Sequence, residues 1–547
     1  MQIRQNYVNI GSEEHQQLVH FRTAGTGPAL VMLHASPMSS AALLPFIRVA
    51  AEFNTVIAPD TPGYGWSDPL QDPAEDLTGY VKALYSFTRR LGLESFGLYG
   101  TATGAQIAIE FSKTYGARVD YLILDNAAHF TDEERDNIVS RYFPDLTPDV
   151  TGSHLTRVWS VARDQCLFFP WHQATPETRL PAGGINTGVV HQMAMEFLQA
   201  GKDYDRAYRG AFANEKMERV QPITVPVTIM RWQGSLLKQY TDRFDSMEWP
   251  DNFTMLHCGP TREQRIEAFR SIFTEQAAHS RGRDCHISPP AGTGGTGTGT
   301  GFVELDAGQC HYLSAGDGQL LPMLALHDIG NSRCSLAGRV ASLSGQYRII
   351  APDLPGHGLS SMPEDGRGGI DGVVETLSEL VDTLGWNGFA LLAEKDSAAV
   401  ALELAGRLEH SVQELKLVNP VDYDALAGVW EPERFYPDFK PDAEGAHLLK
   451  TWHWLRDRQL FWPWYAADAG HTLSGTPNLD ADCLTSGVTD FWHAQPGLNE
   501  FLREVMAYPL AERLDGLSIA VELCVAQTDP MAEVSRRSLP GRDCTLI

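Results

Sequence analysis

A ten-residue stretch recurs in similar form in the second half of the chain, and this repeat decides the fold. Residues 58–67 read APDTPGYGWS, and residues 351–360 read APDLPGHGLS. Two further segments recur at the same offset of 293 residues: HASP at 34–37 is matched by HDIG at 327–330, and RDQCLFFPW at 163–171 by RDRQLFWPW at 456–464. Because one offset holds over this distance, the sequence predicts a tandem duplication of a single domain.

Each copy alternates short apolar runs with helical patterns. In the first copy the runs ALVML (29–33), TVIA (55–58) and YLIL (121–124) are typical of parallel strands buried on both faces. The alternation stops near residue 131 and resumes at the run VPVTIM (225–230), which indicates an inserted helical cap. We therefore predict an α/β class with two domains, each a mostly parallel sheet with flanking helices and a helical cap.

The domain boundaries follow from the repeat and from composition. We place the first domain at 1–280 with its cap at about 131–220, and the second at 302–547 with its cap at about 424–512. Residues 281–301 end in alternating Gly and Thr, a linker whose ten Gly/Thr residues span ~17 Å as a flexible coil. The second copy stops midway through the strand that matches FTML (253–256), so we expect it to be truncated and to pack against the first copy. The arrangement is also compatible with a homo-oligomer, in which a second copy of the chain is the partner.

The charge balance narrows the classes of partner. The chain has 43 Lys and Arg residues against 69 Asp and Glu residues, a formal net charge of −26. Such a surface repels phosphates and anionic lipid, so we expect no nucleic acid and no membrane as partners. No apolar run approaches the ~18 residues of a spanning helix, and the start lacks the apolar region of a signal peptide. Together with eight cysteines in no paired spacing, this predicts a cytoplasmic protein.

Motifs for bound metals and cofactors are missing from the sequence. It has no P-loop, EF-hand or zinc-ligand spacing, and Gly63-Tyr64-Gly65 lacks the third glycine of a dinucleotide fingerprint. We therefore expect no cofactor and no metal. The expected ligand is a small molecule.

The His-x-x-Pro loop at 34–37 and the turn at 59–65 carry a family resemblance. They resemble the α/β-hydrolase fold, in the capped group that contains haloalkane dehalogenases, epoxide hydrolases and C–C hydrolases. The resemblance implies a Gly-x-Ser-x-Gly elbow that holds a nucleophile on a strand-to-helix turn. Here the first copy reads GTATG (100–104), with Ala102 at the nucleophile position, and the second reads AEKDS (393–397), with Lys395 there. Because Ala102 has no heteroatom, the resemblance implies a degenerate triad.

The acid and the base of the triad are also displaced or absent. No carboxylate follows the strand at 227–230 until Asp242, but Asp125 ends the preceding strand and has Val418 opposite it in the second copy. His257 ends the last strand, three or four residues before the expected histidine position. We take Asp125 and His257 as the candidate acid–base groups, the alternatives being a loop-capping carboxylate and a structural histidine.

A second set of residues is predicted to bind the substrate. His154, Trp159 and Arg163 lie roughly on one helical face and recur at 447, 452 and 456. They either build the cap, line a pocket for a small, partly apolar or anionic ligand, or join the two copies. His34 stands in the loop that supplies an oxyanion amide in the family, where a structural role is the alternative. The complete predicted binding set is His34, Ala35, Ser36, Thr103, His154, Trp159, Arg163 and Trp171.

Three hypotheses for function remain open from the sequence. The first is an α/β-hydrolase-superfamily enzyme that acts on a small, partly apolar or aromatic substrate in the N-terminal domain without a Ser-His-Asp triad. The second is a ligand-binding pseudoenzyme. The third is a hydrolase whose nucleophile has been substituted at Ala102. In all three, the second copy is expected to be catalytically degenerate.

Overall fold

The computed structural model describes residues 2–12, 15–71, 76–180, 184–281, 299–362, 368–437, 439–494 and 497–547. The chain divides into two compact units: Met1–Thr147 with His154–Pro290, and Pro148–Ser153 with Ala291–Ile547. Most of the linker predicted at 281–301 lies outside the described residues. Within the described part, no helix combines the length and the apolar character that a membrane span requires.

The first unit is built on an eight-stranded sheet in the order β1-β2-β4-β3-β5-β6-β7-β8. β1 pairs antiparallel with β2 and β2 antiparallel with β4, whereas the remaining pairs are parallel. All residues of β3 to β6 are buried, as expected for strands covered on both faces. The strands are β1 (Arg4–Asn9), β2 (Leu18–Ala24), β3 (Ala29–Leu33), β4 (Thr55–Pro59), β5 (Phe96–Thr101), β6 (Val119–Asp125), β7 (Val227–Trp232) and β8 (Phe253–Cys258).

Helices cover both faces of this sheet and fill the interval between β6 and β7. Two apolar clusters pack on the sheet, one around Phe21, Phe87 and Phe111 and one around Ile47 and Phe269. The helices are α1 (Leu44–Ala50), α2 (Thr78–Arg90), α3 (Thr103–Tyr115), α4 (Asp132–Arg141), α5 (Ser153–Gln165), α6 (Thr187–Ala200), α7 (Arg206–Asn214), α8 (Met217–Val220), α9 (Lys238–Thr241) and α10 (Arg262–His279). α4 to α8 lie between the strands β6 and β7 in sequence.

The second unit repeats this plan with its sheet in the order β16-β15-β14-β13-β11-β12-β10-β9. The strands are β9 (Gly299–Leu305), β10 (Gly308–Ala315), β11 (Leu321–Leu326), β12 (Tyr347–Pro352), β13 (Phe389–Glu394), β14 (Val412–Val418), β15 (Val521–Val525) and β16 (Thr545–Leu546). The helices are α11 (Ala337–Leu343), α12 (Gly369–Thr383), α13 (Ala398–Arg407), α14 (Pro432–Phe435), α15 (Ala446–Asp457), α16 (Ala481–His493), α17 (Leu498–Met506), α18 (Leu510–Asp515) and α19 (Met531–Ser538). The predicted α/β class with two mostly parallel sheets is confirmed.

The aspartate of the repeated ten-residue stretch organises the turn after β4. The carboxylate of Asp60 is fully buried, lies 2.8 Å from His20 Nδ1 and accepts hydrogen bonds from the amides of Ser40 and Trp66. A Cβ on Gly65, whose φ is +54°, would meet the Asp60 carboxylate oxygen at 2.3 Å. In the second unit, Asp353 lies likewise 2.8 Å from a histidine ring nitrogen. The aspartate of the repeated motif therefore holds the turn together in both units.

Candidate active site

The strand-to-helix elbow of the first domain keeps its backbone geometry although the nucleophile is missing. Ala102, between β5 and α3, has φ 47° and ψ −112°, a conformation that costs a non-glycine residue about 1–3 kcal/mol. A Cβ on Gly100 would meet the carbonyl oxygen of Gly104 at 2.3 Å, and one on Gly104 would meet that of Leu33 at 2.4 Å. Both glycines are therefore required by close backbone approach, and the elbow presents a methyl group.

A cavity of about 200 Å³ lies in front of this elbow. Its lining is predominantly apolar and aromatic: Ala35, Pro37, Met38, Ala102, Tyr142, Phe169, Met193, Tyr208, Ala211, Phe212, Leu236 and Leu237. The polar side chains in the lining are Ser36, Thr101, Thr103, Asn126, Gln165 and Glu215. Among the described residues that line it, none is a histidine, a cysteine or a lysine. The cavity therefore suits a small, mainly apolar molecule that carries a few polar atoms.

Glu215 is the carboxyl group of this cavity. It directly follows α7, is 3% exposed, and its Oε2 atom has no hydrogen-bond partner within the described residues. Burial raises the pKa of this carboxyl well above its usual value, and Arg135 opposes the shift only in part. Burial disfavours the charged form, so the protonated form of Glu215 is favoured relative to that of an exposed glutamate. In that form its carboxyl group is a hydrogen-bond donor in a mainly apolar pocket.

Two further polar contacts shape the cavity wall. The hydroxyl of Ser235 donates to Oδ1 of Asn126 at 2.5 Å, which orients the amide of Asn126 at a backbone φ of 54°. The backbone amide of Ser36 points at Oγ1 of Thr103 over 3.4 Å. This second contact is at the long end of hydrogen-bond distances. Thr103 is the first residue of α3, where helix amides have no intrahelical acceptor.

The structure brings four of the predicted residues to this cavity: Ala35, Ser36, Ala102 and Thr103. His34 lies outside the lining, because both of its ring nitrogens face the backbone. Its Nε2 atom accepts from the amide of Thr61 at 2.8 Å, and its Nδ1 atom lies 2.9 Å from the carbonyl oxygen of Ala35. Burial lowers the pKa of His34, so the ring is neutral and fastens the loop that carries Ala35 and Ser36.

Asp125 and His257 are not brought together. Asp125 is fully buried at the end of β6, where its Oδ2 atom accepts from Tyr99 at 2.8 Å and forms an ion pair with Arg265 of α10. The side chain of His257 is 55% exposed, and its Nε2 atom lies 3.7 Å from Asp245. Neither residue lines the cavity. Asp125 therefore joins a strand to a helix in this structure.

The predicted cap residues do not line the cavity. His154 and Trp159 are buried on α5, whose last residue, Gln165, does reach the cavity. Arg163 is partly exposed and pairs with Asp164 at 2.9 Å. The indole nitrogen of Trp171 donates to the carbonyl oxygen of Tyr142 at 2.9 Å. Their direct contacts are thus with the protein, and their role toward a substrate stays a prediction.

Four polar cavity residues were missed by the sequence reasoning: Thr101, Asn126, Gln165 and Glu215. Glu215 belongs to no motif, and the repeat offset places Tyr508 opposite it in the second copy. The available signal was that Glu215 is a carboxyl residue of the predicted cap with no carboxyl at the matching position of the second copy. Several other carboxyl residues of the cap have the same property. Only the folded cap distinguishes the buried one.

The elbow of the second domain carries a cation instead of a methyl group. Lys395 has φ 49°, 293 residues after Ala102, and its Nζ atom lies 3.2 Å from Oδ2 of Asp529. The flanking carboxylates have other partners, because Glu394 pairs with Arg339 at 2.6 Å and Asp396 accepts from Tyr423 at 2.7 Å. Lys395 is therefore ion-paired, and its carboxylate partner comes from the loop after β15.

Comparisons with known proteins agree with this geometry. Residues 28–157 match the family model described as alpha/beta hydrolase fold. A segment is 35% identical over 118 residues to the magnesium-chelatase 30 kDa subunit of Rhodobacter capsulatus, covering 21% of this chain and 40% of that protein. Another is 28% identical over 138 residues to the 2-hydroxy-6-oxo-2,4-heptadienoate hydrolase of Pseudomonas putida, covering 24% and 49%. The chain thus spans less than half the length of these curated relatives.

Among solved structures, an epoxide hydrolase from Vigna radiata matches at 15% identity with a TM-score of 0.38, covering 50% of this chain and 96% of that chain. The match with the family model and the architecture of both sheets lead to one conclusion. The chain contains two α/β domains with mostly parallel eight-stranded sheets, and residues 28–157 of the first match the model described as alpha/beta hydrolase fold.

Proposed function

We propose that the first domain is an enzyme site that acts on a small, mainly apolar or aromatic carbonyl compound by acid–base chemistry without a covalent acyl intermediate. The observation that carries this proposal is the buried carboxyl of Glu215, whose pKa burial raises, in a cavity whose elbow residue is Ala102. Covalent catalysis through the elbow needs a heteroatom, which a methyl group lacks. Proton transfer needs only a positioned acid and a shaped pocket.

The roles of the cavity residues follow from their chemistry. Glu215 donates its proton to the substrate, and the carboxylate so formed takes a proton back from the substrate or from a reacting water molecule, so the catalytic cycle leaves Glu215 unchanged. The amides of Thr103 and Ser36 stabilise negative charge on the carbonyl oxygen, because hydrogen-bond donors of fixed orientation act strongly in a site that excludes water. The aromatic lining, with Tyr142, Phe169 and Phe212, favours an apolar or aromatic substrate body.

The test is turnover by the full-length chain and by the Glu215→Gln variant. The substrate panel contains aryl esters, epoxides, β-diketones and 2-hydroxy-6-oxodienoates, the last chosen because a relative is named for such a substrate. We expect turnover of a carbonyl substrate, and a loss of about 10²- to 10⁴-fold in kcat for Glu215→Gln. The matched control is Glu196→Gln, a second carboxyl with a raised pKa, which bonds to Ser39 and lies outside the cavity lining.

Two outcomes contradict the proposal. If Glu215→Gln retains the activity of the parent chain, the acid–base group is elsewhere. If no compound is turned over while aromatic carbonyl compounds raise the Tm of the parent chain, the first domain is a ligand-binding pseudoenzyme.

The strained elbow favours a second candidate, a hydrolase that has lost its nucleophile. Ala102 retains the positive φ of a nucleophile elbow although an alanine gains nothing from it. Ala102→Ser distinguishes the two candidates. Because no histidine lines the cavity among the described residues, we expect no esterase activity from this variant. A gain of more than about 100-fold, within the range that general-base assistance supplies, supports the lost nucleophile instead.

A further inference from the structure

The second domain contains a larger and much more polar cavity. It has a volume of about 770 Å³ and lies in front of the Lys395 elbow. The charged side chains in its lining are Asp328, Arg339, Lys395, Arg458, Asp482, Asp490 and Asp529. This composition contrasts with the apolar cavity of the first domain, so the two cavities select different ligands.

Lys395 is a permanent cation at the centre of the elbow. Burial acts to lower its pKa, but Asp529 and Asp328 outweigh burial and raise the pKa above the ordinary lysine value. The side chain is 27% exposed, and its contact with Asp529 measures 3.2 Å. The ammonium group carries three donors, so it can hold Asp529 and a ligand oxygen together.

Arg458 is a second cation of the same cavity, and two carboxylates lie near it at longer distances. Its Nη2 atom lies 4.0 Å from Asp328 and 3.9 Å from Asp396, beyond hydrogen-bond distance. The guanidinium group rests 4.5 Å from the ring centroid of Trp454, and its side chain is only 14% exposed. Arginine binds carboxylates through a planar pair of donors. This guanidinium is therefore placed to accept a carboxylate in the cavity.

Asp328 already shows that this elbow binds a carboxylate oxygen. The backbone amide of Asp396 directly follows the elbow residue and donates to Oδ1 of Asp328 at 3.2 Å. In the α/β-hydrolase fold the amide at this position binds the developing oxyanion. The protein thus places one of its own carboxylates where a negatively charged ligand oxygen is expected.

We propose that the cavity of the second domain binds a small carboxylate anion between Lys395 and Arg458, next to Asp328. This site is independent of the proposed catalysis in the first domain. Both cations line one cavity. Lys395 lies 3.2 Å from Asp529, and Arg458 lies 4.0 Å from Asp328, so both cations have donors left for a ligand. Burial and Asp396 raise the pKa of Asp328 to about 7. The ionised fraction of Asp328 opposes the ligand by charge repulsion, so its neutralisation strengthens binding.

The test is isothermal titration calorimetry of the full chain with sodium succinate and sodium acetate at constant ionic strength. We expect binding of succinate or acetate, weakened about 10- to 100-fold in Arg458→Met and in Lys395→Met, because each change removes a charged hydrogen-bond donor. Arg456→Met is the matched control, since Arg456 lies two residues before Arg458, in the last turn of α15, pairs with Asp457 and is outside the cavity lining. Asp328→Asn should bind more tightly, a gain that an unfolded variant cannot produce.

Three results overturn the proposal. The first is that neither carboxylate binds the parent chain. The second is that binding is unchanged in both Arg458→Met and Lys395→Met. The third is that putrescine, a diamine, binds in place of the carboxylates. Glu215→Gln should leave the titration unchanged. This keeps a failure of this proposal distinct from a failure of the proposed function of the first domain.

Discussion

At the scale of single residues, the first cavity combines a methyl group on a strained elbow with a buried carboxyl whose pKa is raised. Ala102 occupies a conformation that suits glycine, and Glu215 lies where a charged group is disfavoured. Both features cost stability, and neither supports the packing around it. Residues that cost stability in a cavity are typical of sites under functional constraint.

The strain at the elbow has a measurable consequence. Ala102→Gly should raise the free energy of unfolding of the first domain by about 1 kcal/mol, because glycine adopts a positive φ without a steric penalty. Ala105→Gly, on the same helix in ordinary helical geometry, should lower it by about 1 kcal/mol. Thermal unfolding of the full chain monitors both. Equal shifts of Tm in the two variants would contradict the strained elbow.

Glu196 gives the first domain a pH dependence of known sign. Burial raises its pKa from 4.5 to about 7, with Asp60 adding to the effect. Between these two values the folded state holds a proton that the unfolded chain has released, so stability falls as pH rises, by up to about 1.4 kcal/mol per pH unit. Glu196→Gln should remove this loss between pH 5 and pH 8. The exposed control Glu267→Gln should not, and an unchanged slope in Glu196→Gln refutes the assignment.

At the scale of elements, a buried ion pair joins β6 to α10. Asp125 at the end of the strand meets Arg265 of the helix, which also stacks 4.4 Å from the ring centroid of Trp232. Tyr99 of β5 completes the contact. The three elements are thereby fastened behind the elbow, at the edge from which the cavity opens.

Breaking this ion pair should destabilise the fold, because the remaining charged residue stays buried without its partner. Arg265→Met should cost about 3–5 kcal/mol, because it leaves the Asp125 carboxylate buried without its cation. The exposed Arg262→Met on the same helix is the control and should be close to neutral. Chemical denaturation measures both, with the double change Arg265→Met and Asp125→Asn expected to recover part of the loss. A cost below about 1 kcal/mol for Arg265→Met, as for a surface pair, would argue against the buried ion pair.

At the scale of the whole molecule, the two domains share one fold and differ in the chemistry of their elbows. The repeat offset predicts both sheets and both elbows, because buried strands and close glycine contacts leave a direct trace in the sequence. Glu215 leaves no such trace, since its burial depends on how α7 packs in the cap. Asp125 and His257 were paired by analogy with a family, and their side-chain contacts, with Arg265 and Asp245, depend on tertiary packing that no motif encodes.

The division of roles between the domains is itself testable. Lys395→Ala combined with Asp529→Ala should change kcat/KM of the first domain by less than about twofold, because these residues belong to the second cavity. Tm of the second unit is monitored in parallel to show that it remains folded. A loss above about tenfold in a folded double variant would mean that the second domain takes part in catalysis.

The central claim is that Glu215 is protonated in the first cavity at neutral pH, and difference infrared spectroscopy tests it without a substrate. The spectrum of the parent chain minus that of Glu215→Gln should contain the carbonyl-stretch band of a protonated carboxyl group at pH 8, where an ordinary glutamate is ionised. The corresponding Glu196→Gln difference should lose its band as the pH rises through about 7. A carboxylate band, and no protonated band, for Glu215 at pH 6 to 8 would contradict the account.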